Sequence, residues 1–143
     1  MLRFAIWEDV VYNSSQPGLE LSSADIKRLS PSALAYLGDA VYELHMRAHY
    51  LMPPKRSRDY HHQVVAQVRA ESQARHLRSL EPHLTPVELE ITKRGRNGAT
   101  ACPRRLDPET YQQATSLETL IGYLYLTDCQ RLNQLLAQLD LQG

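Results

Sequence analysis

Apolar residues along this chain recur at spacings of three and four, and strict apolar/polar alternation is rare. That rhythm predicts helices rather than strands. Ser-Pro, Thr-Pro and Asp-Pro pairs punctuate the sequence, each placing a capping oxygen before a proline at the first helical position. The first long helix opens at Ser30-Pro31 and runs to about Tyr50, where Pro53-Pro54 ends it. Leu34, Leu37, Val41, Leu44 and Ala48 form its apolar stripe. A second helix begins near Ser57, carries Val64, Val65, Val68, Ala74 and Leu77, and breaks near Ala70 to Ser72; Glu81-Pro82 closes it. Thr85-Pro86-Val87-Glu88 is a capping box, so a helix follows to about Arg94. Gly95 to Leu106, with two glycines and Pro103, reads as loop. Asp107-Pro108 caps a helix to about Leu126, and Asp128 caps a last amphipathic helix with Leu132, Leu135, Leu136, Leu139 and Leu141. A short helix fits Ser23 to Leu29, capped by Ser22 or Ser23. The pattern predicts an all-α single domain over 23–143, preceded by an arm or linker over 1–22. In that arm Phe4, Ile6, Trp7, Val10 and Val11 fit a short helix or an extended segment, and Asn13 to Gly18 fits a turn.

Length and charge narrow the picture. A chain of 143 residues suits one domain and can bury a core without disulfides. Its 16 Lys and Arg balance 16 Asp and Glu, so any basic surface for nucleic acid is local rather than global. No apolar run approaches the ~20 residues of a membrane span. The first stretch carries Glu8 and Asp9 and offers no small-residue cleavage site, which argues against a signal peptide. Cys102 and Cys129 lack metal-ligand spacing, and a reduced, cytoplasmic protein is the expectation.

Two segments carry the candidate chemistry, 34–43 and 117–126. Each sets a carboxylate and a glycine inside a strongly apolar helix. A mid-helix glycine costs about 1 kcal/mol relative to Ala, so Gly38 and Gly122 need a reason, and close helix–helix approach supplies one. Glu118 sits inside the apolar band of Ala114, Leu117, Ile121, Leu124 and Tyr125, where a carboxylate must be paired, protonated or metal-bound. Helices crossing at their glycines bring Asp39 and Glu118 together as an oxygen site for a hard cation such as Mg²⁺. The alternative is a carboxylate neutralised by a neighbouring Arg or Tyr. Glu43, one turn after Asp39, is either a further metal neighbour or a surface acid.

Lys93, Arg94, Arg96, Arg104 and Arg105 fall within thirteen acid-free residues, with Asn97, Gly98 and Thr100 between them. Such a segment, read as a flexible loop, suits phosphate binding; otherwise it is a solvated charge run whose first members stabilise a helix end. His45 and His49, and His61-His62, show too few ligands for zinc. No phosphate-cradling glycine loop or catalytic Cys/His set is present.

These residues resemble a known family. Tyr36-Leu-Gly-Asp-Ala-Val-Tyr-Glu43 is similar to the signature of the ribonuclease III domain, and Leu117-Glu-Thr-Leu-Ile-Gly-Tyr-Leu-Tyr-Leu126 to its second acidic motif. Lys93-Arg-Gly-Arg-Asn97 and Ala70-Glu-Ser-Gln-Ala74 resemble stretches of one subgroup, the Mini-ribonuclease III proteins. The likeness covers about residues 30 to 142. It implies a homodimeric, all-α endoribonuclease that cuts double-stranded RNA with Mg²⁺ and leaves 5′-phosphates. It also implies a nuclease domain without a separate double-stranded-RNA-binding domain, and a role in trimming the 23S ribosomal RNA precursor. Asp39 and Glu118 match the family's catalytic, metal-binding carboxylates. Two further acidic positions of full-length ribonuclease III fall on Ala35 and Thr115, leaving fewer protein ligands for the metal. The implied RNA-binding residues are Lys93, Arg94, Arg96, Asn97, Arg104 and Arg105, and a ribosomal protein is a candidate helper. The competing readings are a catalytically inactive ribonuclease III-like RNA-binding module in ribosome assembly, and a helical protein-interaction domain.

Overall fold

Seven α-helices and one 3₁₀ turn account for the ordered elements of a computed structural model that describes residues 21–99 and 101–141. No strand occurs among the described residues. Of the arm expected over 1–22, residues 1–20 lie outside them, and Ser22 is the cap of the first helix. The helices are α1 (Ser23–Arg28), α2 (Pro31–Tyr50), α3 (Ser57–Val68), α4 (Ala70–Leu80), α5 (Pro86–Gly98), α6 (Pro108–Thr127) and α7 (Cys129–Ala137), with the 3₁₀ turn Glu81–His83 between α4 and α5.

Local side-chain chemistry sets the helix starts. Ser22, Ser30, Thr85, Asp107 and Asp128 each accept a hydrogen bond from a backbone N–H in the first turn that follows. Thr85 and Glu88 form the expected capping box, with bonds of 2.9 and 3.2 Å. Glu88 also takes a bidentate grip from Arg131 of α7, at 2.8 and 2.9 Å, and Arg131 donates a third bond to the His83 carbonyl at 2.7 Å. This pair fastens the start of α5 to α7.

α6 is the central element and packs against α2, α4, α5 and α7. Its buried residues, from Ala114 through Leu117, Thr119 and Leu120 to Leu124, point in nearly every direction, as suits a helix enclosed by others. α2 supplies Leu34, Val41, Tyr42, Met46 and Tyr50 to the same core. Its buried face is rotated from the expected stripe: Leu44 is 45% exposed and Ala48 is also exposed. One steric and one polar anchor explain the rotation. Gly38 must face α6, and the Tyr42 hydroxyl must reach the Gln67 carbonyl and His76.

Two boundaries differ from the sequence pattern. The break between α3 and α4 falls at Arg69, which is extended (φ −69°, ψ 156°), and not at Ala70 to Ser72. The Ser72 hydroxyl donates to the Ala66 carbonyl and the Gln73 amide to the Val68 carbonyl, capping the freed end of α3. At the other end α7 stops at Ala137, and Leu139 and Leu141 reach the core from beyond the helix.

His76 is 3% exposed, and its Nδ1 lies 2.5 Å from the Tyr42 hydroxyl. Burial first, and the Arg75 charge second, push its imidazole down to about 4 from an unfolded value of 6.5. The folded chain therefore holds a neutral ring where the unfolded chain takes up a proton. This contribution to stability is present above pH 6.5 and is lost as pH falls toward 4. Between pH 7 and pH 5 the urea midpoint of the wild type should drop relative to that of His76→Phe; a constant difference between the two would exclude His76 as a source of pH dependence.

Candidate functional site

The site is built where α2 crosses α6. A Cβ placed on Gly38 would lie 2.7 Å from the Glu118 carbonyl carbon and 2.8 Å from the Gly122 nitrogen. One placed on Gly122 would lie 2.9 Å from the Leu34 carbonyl carbon. Both are contacts with backbone, which cannot swing aside. The helices therefore touch main chain to main chain at the two glycines that the sequence singled out.

That contact brings the two carboxylates together. Asp39 follows Gly38 on the exposed side of α2, while Glu118 is largely enclosed. Burial is the main cause that pushes the Glu118 carboxyl up to about 8 from 4.5. The Asp39 charge and a hydrogen bond with Asp39 raise it further. Among the described residues neither carboxylate forms an ion pair, which removes the Arg of the Arg-or-Tyr alternative. Nor does any third His, Cys, Asp or Glu complete a metal-type cluster among them. Ala35 and Thr115 stand one turn before Asp39 and Glu118. Glu43 pairs instead with Arg47 at 3.2 Å, which fits a surface acid. His61 and His62 are exposed on α3.

The basic segment is divided between two kinds of structure. Lys93, Arg94, Arg96 and Asn97 lie on the last turns of α5, which continues to Gly98 where the sequence read as loop from Gly95. Lys93, Arg96 and Asn97 are exposed and Arg94 is half-buried. Arg104 and Arg105 are exposed on the connection to α6. Gly95 is buried: a Cβ there would lie 2.8 Å from the Thr119 Cβ and 3.1 Å from the Ser116 Cα. Gly98 faces Pro31, with 3.3 Å between its virtual Cβ and the Pro31 Cβ. The basic end of α5 thus rests on the turn of α6 that carries Glu118 and at the start of α2. Sequence reasoning missed this seat, because a glycine between cations reads as a helix stop. The Ala70–Ala74 segment proves to be a splice between α3 and α4, through Ser72 and Gln73.

The ribonuclease III domain family matches residues 32–128, which run from the first turn of α2 to the cap of α7. The chain belongs to the ribonuclease III domain family. It is 59% identical over 116 residues to the Mini-ribonuclease 3 of Synechocystis sp., covering 81% of each chain. It is 61% identical over 119 residues to that of Synechococcus sp., covering 83% of this chain and 86% of the relative. The crystal structure of a Fusobacterium nucleatum protein shares the fold with a TM-score of 0.73 and 31% identity, over 79% of this chain and 93% of that one. The chain is therefore a Mini-ribonuclease III-type endoribonuclease, and its all-α architecture is that of the ribonuclease III domain.

The raised Glu118 carboxyl has a consequence for the metal-free ribonuclease III domain. Between pH 4.5 and 8 the folded state holds a proton that the unfolded chain has released, so stability from this group falls as pH rises through that window. Glu118→Gln should flatten that fall in EDTA-treated protein. A wild-type slope retained in the variant would remove Glu118 as its cause.

Proposed function

We propose that this endoribonuclease cuts double-stranded RNA in a Mg²⁺-dependent reaction at Asp39 and Glu118, and that its substrate is a stem of the 23S ribosomal RNA precursor. The observation that carries the reading is an enclosed Glu118 carboxyl, beside a second carboxyl, with no cation paired to either among the described residues. A hard divalent cation fits that donor set and would take the place of the Glu118 proton. Two carboxylates leave most of an octahedral shell to water and RNA phosphate oxygens, which Mg²⁺ accepts readily. When bound, the ion would supply Lewis acidity at the phosphodiester and a water of lowered pKa.

The protein's own part is to hold and orient. Asp39 and Glu118 would fix the cation at the helix crossing, and the main-chain contact of Gly38 with α6 would keep their separation constant. Lys93, Arg94, Arg96 and Asn97 on α5, with Arg104 and Arg105 on the following connection, would bind phosphates on either side of the cut. Such contacts read A-form shape rather than base sequence. Water would attack phosphorus and the 3′ oxygen would leave, giving a 5′-phosphate and a 3′-hydroxyl. The two free cysteines suit a reducing cytoplasm, and no described helix is long and apolar enough to cross a membrane.

A homodimer is part of the proposal. Tyr36 is 84% and Leu44 45% exposed, and with Ala40 and Ala48 they line one side of α2 at intervals of four. A ridge of that spacing, alternating large and small, suits packing against its own copy about a two-fold axis. Such a dimer would present one cleavage site to each strand of a duplex.

A second reading keeps RNA binding without cleavage, and Ala35 and Thr115 at the two unmatched acidic positions are what favour it. A long RNA duplex incubated with Mg²⁺ or EDTA separates the two. Cleavage should require the metal and fall at least about a hundredfold in Asp39→Asn and in Glu118→Gln, with duplex binding retained. Binding without metal-dependent cutting, with or without added ribosomal protein, would favour the module. Sedimentation should show a dimer that Leu44→Asp converts to monomer; a variant that stays dimeric would move the interface off α2.

A further inference from the structure

We infer that Gly95 is a positioning residue for cleavage: its missing side chain seats the basic end of α5 directly on the Glu118 turn of α6 and so fixes where RNA phosphates lie relative to the carboxylate pair. The inference rests on the reading of Asp39 and Glu118 as the cleavage site. α5 is held at two points. Its start is latched by the Glu88–Arg131 pair, which carries no cation of the RNA-binding set. Its basic end has no such latch and is located by shape, at Gly95 against Ser116 and Thr119, and at Gly98 against Pro31.

The two glycine contacts are unequal. A Cβ at Gly98 meets only Pro31 side-chain carbons, at 3.3 and 3.7 Å, and a small shift accommodates it. A Cβ at Gly95 meets the Thr119 hydroxyl oxygen at 2.5 Å and the Thr119 Cβ at 2.8 Å, with the Ser116 Cα behind them at 3.1 Å. Carbon atoms rest at about 3.5–4.0 Å, so α5 would have to lift by about 1 Å. Thr119 cannot yield easily, because its hydroxyl donates to the Thr115 carbonyl at 2.7 Å. Lys93, Arg94, Arg96 and Asn97 would rise with the helix, while Asp39 and Glu118, fixed at the α2–α6 crossing, would stay. A displacement of that size between bound substrate and reacting groups costs on the order of a hundredfold in rate. A purely structural glycine predicts otherwise: alanine would lower stability through the same overlap but leave kcat of the folded protein intact.

The test uses the full chain on a long RNA duplex, with kcat and KM measured in Mg²⁺, duplex Kd measured in EDTA, and folding followed by circular dichroism. Folded Gly95→Ala should lose about a hundredfold in kcat while Kd moves by less than about threefold. The double variant Gly95→Ala/Thr119→Ala, which removes the nearest obstructing atom, should recover part of that loss. If Gly95→Ala does not fold, the double variant is compared with Thr119→Ala alone, and a lower kcat in the double variant supports the inference. Wild-type kcat in folded Gly95→Ala, equal kcat in that last pair, or a loss confined to Kd would overturn it. Failure of the underlying reading looks different: there the wild type does not cut, or Glu118→Gln cuts fully.

Discussion

Everything at the candidate site depends on one steric fact, the contact of main chain with main chain where α2 crosses α6. Gly38 and Gly122 face each other's helices with no side chain between. Each glycine weakens its own helix, and the close approach offsets that cost by bringing two carboxyl-bearing turns together. A conventional crossing, with side chains interleaved, holds helix axes about 8–10 Å apart. Glu118 would then be one buried acid with no second acid beside it. With the glycines in place, Asp39 reaches Glu118 from across the crossing, and its charge and hydrogen bond raise the Glu118 carboxyl.

The charge layout follows from this. In a protein with no net charge, a largely enclosed carboxyl lies beneath a surface that displays cations close by. The Glu118 carboxyl is largely enclosed, where charge is expensive and a cation is correspondingly welcome. The cations stand on the end of α5 and the connection after it, where water solvates them and a polyanion can displace their counterions. Neither group satisfies the other within the described chain, and both remain free for what binds.

Much of this was legible in the sequence, for local reasons. Ser30-Pro31, Thr85-Pro86 and Asp107-Pro108 fix helix starts by chemistry within four residues, and the starts lie where the pattern puts them. The glycine–carboxylate pairs were visible because both residue types are costly inside an apolar helix. What escaped depended on tertiary contact. The buried face of α2 is turned by Tyr42 meeting His76 and Gln67, more than twenty residues away. The end of α5 was misplaced because Gly95 looks like a stop signal until Thr119 and Ser116 are seen beneath it. Glu88 was read only as a capping residue, since nothing in its neighbourhood announces Arg131, 43 positions on.

The Glu88–Arg131 pair also bears on how the chain is made. Glu88 is 4% exposed, and Arg131 is its one ion-pair partner among the described residues. A buried carboxylate stripped of its partner is strongly destabilising. On the ribosome Glu88 emerges long before Arg131, so the start of α5 cannot settle into its final environment until the cap and first turn of α7 have been synthesised. The crossing of α2 and α6 and the seat of Gly95 on Ser116 and Thr119 need no such partner, for all of these residues precede Cys129. The chain up to the end of α6 thus specifies both the carboxyl pair and the resting place of the basic end of α5, and α7 adds the latch at the far end of that helix.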